Sequence, residues 1–281
     1  MYKAYGTIET LAPLHVGATA GEESGNLNLI FRDPYTQTGM IPGSSIRGRF
    51  RAEMRQRDSE EANKWYGHEA NSSKADSTEA ESGKTDSTEA ESSKAEHTTE
   101  SKIKFEYASI VWLPVFCPGQ PVVWVSCPRL LKRYKRIAGI TSNVPNTYTR
   151  SNVLNVNQLF FNFGFLNLDQ PVNMSTWFPD GQERPAVIVA DNEISMVHDM
   201  ALFRQSRVRL QDDEKKVQDG GFFNTEALPE ETILVFPVAA RSDEDLKKWP
   251  PFGSQDSNSD ELYFGGLESI GYGHCAVTLY R

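Results

Sequence analysis

Hydrophobic and polar positions alternate in several short stretches of the chain and recur at helical spacing in two others. Alternation rich in β-branched and aromatic residues predicts strands over 2–11, 103–116, 121–127, 185–190, 205–210, 232–239 and 274–280. A helical period runs through 44–57, where Ile46, Phe50 and Met54 fall four apart. A second runs through 128–137, where Leu130, Leu131, Tyr134 and Ile137 share one side. Pro42–Gly43 makes a turn, Ser44 or Ser45 can cap the first helix, and Pro128 suits the first position of the second. Strands and helices do not alternate as in a doubly wound fold. The order predicts an α+β sheet with helices on one face and long excursions.

Residues 72–101 break this pattern with a tandem repeat of period ten: SSKADSTEAE, SGKTDSTEAE, SSKAEHTTES. The unit has no large apolar side chain, so stacking the copies buries nothing that would offset their ordering entropy. The expectation is a disordered insertion over 70–102, extruded from a single domain that spans 1–281. A long surface insertion adds little closure entropy. An acidic partner-binding tail is the alternative.

At 281 residues, with 24% charged and 38% hydrophobic side chains, the composition is that of a soluble globular protein. No apolar run approaches the roughly 18 residues of a membrane span, and the first residues read as a strand and not as a signal peptide. Cys117, Cys127 and Cys275 form no CxxC pair, which predicts free thiols in a reducing cytoplasm and no zinc site. The net charge of −9 argues against nucleic acid until it is apportioned. The repeat holds three lysines against eight acids, so −5 lies there and −4 elsewhere. The remaining basic residues are clustered, and the local field matters more than the sum.

Four segments are candidates for chemistry. Arg47, Arg51 and Arg55 fall one residue after the apolar stripe of the first helix, with Arg49 and Arg57 adding charge. The helix start with Ser44 and Ser45 offers N–H groups and a favourable dipole to a phosphate, and guanidinium forks match its oxygens. In the second helix Arg129, Lys132, Arg133, Lys135 and Arg136 carry no acid among them, a self-repulsion that a polyanion would relieve. On either helix the alternative is a solvated basic face. Gly265, Gly266, Gly271 and Gly273 permit close backbone approach or simply tight turns, without the Walker lysine or the dinucleotide spacing. Arg207, Val208, Arg209 and Leu210 alternate ahead of polar turn signals, which predicts a hairpin or arm with a basic strand. No GxSxG is present, and the five histidines are scattered.

Taken together, PLHVG (13–17), RDPYTQTGMIPGSSIRGRFR (32–51), ASIVWLPVFCPGQPVVWVSCPRLLKRY (108–134), RVRLQDDEKKVQDGGFFNTEALPEET (207–232) and FGGLESIGYGHC (264–275) resemble the RAMP superfamily. Within it they are most similar to the Cmr-type backbone subunits of type III CRISPR effector complexes. The resemblance implies a modified ferredoxin-like (RRM-like) palm, an inserted fingers region and a long β-hairpin thumb over 196–232. It implies a guide RNA and target RNA as partners, with neighbouring backbone subunits and the large polymerase-like subunit, and no membrane. Arg47 and Arg51 match basic positions facing the guide, and Gly265–Gly273 would pack beside them. RNA binding would need no cofactor. Members that cut RNA use an aspartate after PLHVG, with Mg2+ or another divalent cation; here that position falls at Leu27, next to Asn28. Neither side chain can act as a carboxylate base or ligand. His15 and Glu226 match positions lining the cleavage site, and Glu22, Glu23 or Asp33 would have to substitute in an active enzyme. The implied function is an RNA-binding subunit with weak or no nuclease activity.

Deleting 72–101 is expected to leave the melting temperature unchanged, because the segment contributes no core; a fall of several degrees in thermal unfolding would contradict this reading.

Overall fold

The computed structural model describes residues 1–17, 27–67, 99–210, 217–254 and 257–281, leaving out the side chains of 209–221. Most of the tandem repeat, together with Glu22 and Glu23, therefore lies outside the described residues. The chain begins with β1 (Tyr2–Thr10), β2 (Leu27–Asn28) and β3 (Met40–Ile41), then α1 (Gly43–Arg57) and α2 (Ser59–Tyr66). It continues through β4 (Ile103–Phe105), β5 (Ala108–Cys117), β6 (Gln120–Ser126) and α3 (Pro128–Ala138). Short strands follow: β7 (Arg150–Ser151), β8 (Gln158–Phe161), β9 (Gly164–Asn167), β10 (Pro171–Val172) and β11 (Ala186–Ile188). After α4 (Ile194–Ala201) come β12 (Phe203–Leu210), β13 (Val217–Ala227), β14 (Ile233–Ala240), α5 (Asp243–Lys248), β15 (Ser259–Tyr263) and β16 (His274–Tyr280).

The fold is mixed α+β around one large sheet, ordered β10-β7-β11-β6-β5-β14-β1-β16-β15, with β3 and β4 paired onto β5 and β14. Strand β14 lies in its middle, antiparallel to β1, β4 and β5. Its run Ile233–Phe236 is buried at every position, where a half-exposed strand would alternate. Leu234, Phe236 and Val238 join one apolar cluster with Ile46, Phe50 and Met54 of α1. Ile233 and Val235 join the other with Leu131 and Tyr134 of α3, Trp112 and Phe178. The helices thus cover both faces of the sheet. This corrects the expectation of helices on one face: unbroken apolar runs such as ILVF mark a strand buried on two sides, whereas alternation marks one.

Two further helices lacked a strong apolar period. Asp58 caps α2 by accepting the N–H groups of Glu60 and Glu61 at 2.9 and 3.1 Å. The preceding helix ends at Arg57, so α2 turns back against α1 and seats Trp65 and Tyr66 in the core. Helix α4 occupies Ile194–Ala201, so the extended hairpin begins only at Phe203 and runs, through β12 and β13, to Ala227.

An aromatic cluster fastens α1 to the sheet. Phe50 stacks on Phe105 at 5.4 Å and meets Trp249 and Phe252 at 5.7 Å each, while Trp249 Nε1 donates to Tyr66 Oη at 3.0 Å. Replacing Phe50 with alanine is expected to cost about 3–5 kcal/mol in urea unfolding with the slope unchanged. A loss under 1 kcal/mol would show that α1 is held by something else.

Candidate nucleic-acid interface

The late glycine segment crosses the chain near its start. His15 is 7% exposed, and its Nδ1 lies 2.6 Å from the carbonyl oxygen of Glu226. A carbonyl only accepts, so Nδ1 carries a proton and donates it there. Gly265 sits on top of His15: a Cβ there would lie 2.0 Å from the His15 carbonyl oxygen, and its φ of +79° favours glycine. Gly266 donates its N–H to that carbonyl at 3.0 Å, and Gly273 donates to Pro13 at 2.9 Å. Gly273 is buried, with φ +87° and no room for a side chain against the Phe264 carbonyl. Gly265 and Gly273 thus serve backbone stacking of the loop on residues 13–15, whereas Gly266 and Gly271 face open space. Tyr272 donates its hydroxyl to Gln205 Oε1 at 2.9 Å, and the Arg207 guanidinium lies 5.8 Å from the Tyr272 ring. Loop and hairpin are therefore joined. The Arg209 side chain lies outside the described residues.

The arginines of α1 divide between two sides. Successive residues turn by about 100°, so Arg47 and Arg51 follow the buried stripe on one side while Arg49 precedes it on the other. Arg47 donates Nε, at 3.1 Å, and Nη2 to the Tyr66 carbonyl at the end of α2. Arg51 Nη2 approaches Asn63 Oδ1 at 3.5 Å. Both fasten α1 to α2, and Arg47 sets its charge against the negative end of the α2 dipole. Arg49 is the one facing the glycine loop: it pairs with Glu53 and, at 3.5 Å, with Glu268. Ser44 and Ser45 are exposed at the helix start, and no side chain caps it. The expected picture of Arg47 and Arg51 beside the loop is corrected in this respect, because the two residues from Arg47 to Arg49 turn the helix by about 200° and put them on opposite flanks.

A charged network lies behind His15. Glu226, 7% exposed, accepts from Arg32 Nη2 at 3.0 Å and from Arg204 Nε and Nη2 at 3.1 and 3.0 Å. Arg32 also reaches Asp199 at 2.6 Å. His198 is fully buried and accepts the Gly39 N–H on Nε2 at 2.9 Å, so its protonated Nδ1 faces Asp199 at 3.7 Å. Burial pushes the His198 pKa down. His198, and after it Arg32, hold the Asp199 carboxyl at about 2. Leu27 and Asn28 pair with Asn224 and Thr225, beside Glu226.

The RAMP superfamily model matches residues 7–276. The chain belongs to the RAMP superfamily. A chain of a type III-B Cmr-beta complex in its apo state shares its fold at TM-score 0.71 and 17% identity, with 99% of this chain and 97% of that one covered. A chain of Cmr-beta bound to cognate target RNA gives 0.68 and 18%, covering 99% and 97%. Cmr4 (Cas7) from Pyrococcus furiosus gives 0.63 and 18%, with both chains covered completely. The curated proteins give no match.

Within this RAMP fold the described carboxylates of the candidate cleavage region are occupied by other partners. Among the described residues no three His, Cys, Asp or Glu side chains converge as metal ligands. Glu226 is committed to two guanidiniums. Asp33 Oδ1 accepts from the N–H groups of Tyr35 and Thr36 and from the Thr36 hydroxyl at 2.9, 2.8 and 3.0 Å, so it shapes a turn. On α3, Arg129 lies 5.3 Å from the Tyr35 ring and Arg133 lies 3.9 Å from that of Tyr107, contacts the charge pattern did not foretell. Arg204 and Arg32 also escaped the sequence reading, since only the fold brings them to Glu226. No helix among the described residues is long and apolar enough to cross a membrane.

A histidine that binds its proton less readily when folded favours the unfolded chain on protonation. Stability from His198 is therefore full above pH 6.5 and declines as pH falls below it, while that from Asp199 declines only between about pH 4 and 2. Urea midpoints are expected to drop between pH 7.5 and 5, and His198→Gln to flatten the drop. An unchanged slope in the variant would remove His198 as the cause.

Proposed function

We propose that this RAMP protein is a guide-RNA-binding backbone subunit of a type III CRISPR ribonucleoprotein, working in antiviral defence in the cytoplasm. The large sheet with α1 is the modified ferredoxin-like palm, and the β12–β13 hairpin is the thumb that kinks the guide–target duplex. Its partners are guide RNA, target RNA, neighbouring copies stacked head to tail, and the large polymerase-like subunit. The observation that carries this reading is the convergence of three segments distant in sequence. The uncapped start of α1, the exposed Gly266–Gly271 turn linked to it through Arg49 and Glu268, and the hairpin tied to that turn through Tyr272 are connected in series. Such a surface offers N–H donors and a basic strand to a sugar-phosphate backbone. Shared fold with a chain from a complex bound to cognate target RNA agrees with it.

Binding needs no metal. Nuclease activity is weak or absent, since Leu27 and Asn28 stand at the cleaving position and Glu226 and Asp33 are otherwise engaged. The opposing reading, a metal-dependent endoribonuclease using Glu22 or Glu23, predicts magnesium-dependent cuts opposite this subunit that are lost in Glu22→Gln/Glu23→Gln. On the binding reading, target RNA in the assembled complex survives magnesium.

Carboxylates at an exposed helix start leave a helix as stable or more so, yet repel phosphate. Ser44→Glu/Ser45→Glu is thus expected to weaken guide-RNA binding at least about tenfold at low salt with no fall in melting temperature. Unchanged affinity would overturn the RNA assignment of this surface. Arg47→Ala/Arg51→Ala is expected to lower the melting temperature as well as affinity, because those side chains also hold α2.

A further inference from the structure

A second cleft, of about 370 Å³, opens between the Asp33–Thr38 turn, the Tyr107–Ser109 segment and the cationic side of α3. That size falls among small-ligand sites. Four cations line it: Arg129, Lys132, Arg133 and Arg136. The acid in its lining is Asp33, whose Oδ1 is spent on the turn. Arg133 is half buried: it donates to Ser109 Oγ at 2.9 Å and to the Tyr107 carbonyl at 3.1 Å, and lies 3.9 Å above the Tyr107 ring. Its nearest carboxylate, the exposed Glu106, stands off at 3.9 Å. Burial pushes its pKa down, a sign that the charge is poorly compensated. At the mouth, the Tyr35 ring is 79% exposed and faces Arg129 at 5.3 Å. An exposed aromatic ring beside a row of cations is the combination that holds an unstacked base and its phosphate. The cleft also adjoins the proposed interface, because the start of α1 packs at Gly43 on the Phe105–Glu106 backbone, one residue from Tyr107.

We propose that this cleft binds one unpaired nucleotide of a single-stranded RNA segment, its base on Tyr35 and its phosphate among Arg129, Lys132 and Arg136. The proposal rests on the RNA-binding reading and extends it: the strand leaves the α1 surface and bends past Tyr107 onto α3. Stacking tolerates any base, whereas the cations require the phosphate.

The test uses the full chain and a single-stranded RNA carrying one 2-aminopurine, moved along the sequence. At one position the fluorescence is expected to be quenched on binding. Tyr35→Ala is expected to abolish the quench and lower affinity about 5- to 150-fold, while Tyr35→Phe retains both. Lys132→Ala/Arg136→Ala is expected to flatten the dependence of log affinity on log salt by about 1.4. These residues are exposed, and unchanged thermal unfolding of each variant excludes misfolding. If RNA binds with a normal salt slope but Tyr35→Ala changes nothing, the cleft proposal falls and the wider reading stands. If no RNA binds at all, both fall. If inorganic polyphosphate competes as well as RNA and no position is quenched, the cleft is an anion patch and the nucleotide assignment is overturned. Loss of self-association in Lys132→Ala/Arg136→Ala, with RNA binding intact, would assign it to an acidic face of another copy and overturn the proposal equally.

Discussion

Burial of β14 on both faces is the constraint from which the rest of the molecule follows. A central strand with Ile233, Leu234, Val235 and Phe236 all out of water needs a layer on each side. One layer is α1, α2 and the Trp249 region; the other is α3 with Trp177 and Phe178. The two basic helices therefore stand on opposite faces, and no single plane can present both arginine rows to one straight strand of RNA. Both reach the Phe105–Tyr107 edge, where Gly43 meets the backbone from one side and Arg133 from the other.

The same geometry sets what each arginine does. On α1 the apolar stripe fixes the rotation of the helix, so Arg47 and Arg51 fall toward α2 and Arg49 toward the glycine loop. On α3, Leu131 and Tyr134 face the sheet and Arg129, Lys132 and Arg136 are exposed, while Arg133 is drawn under cover by Tyr107 and Ser109. Charge on a helix is a statement about composition; its target is a statement about which side is buried.

In the region behind His15 a nearly buried carboxylate is held by its cationic neighbours. The oxygens of Glu226 are filled by Arg32 and Arg204, one from the chain's early segment and one from the hairpin. The network ties the 32–39 turn, α4 and the hairpin together through Asp199 and His198. At neutral pH Asp199 is held ionised and the buried His198 neutral, so the network is a fixed scaffold.

The strands at 2–10, 120–126 and 274–280 and the helices at 43–57 and 128–138 were legible in the sequence, because periodicity of 2 or 3.6 survives in a linear string. The glycine loop was legible as a motif, though not the reason for Gly265 and Gly273, which is contact with His15 and Phe264 from other segments. Short elements such as α4, β8 and β9 carried too few periods to declare themselves. Which helix covers which face, which flank Arg47 takes, and the meeting of Arg32, Arg204 and Glu226 were decided by tertiary structure alone. Local pattern records how a segment buries its own apolar side; the partner on the far side of that burial belongs to residues tens to hundreds of positions away, and packing chooses it.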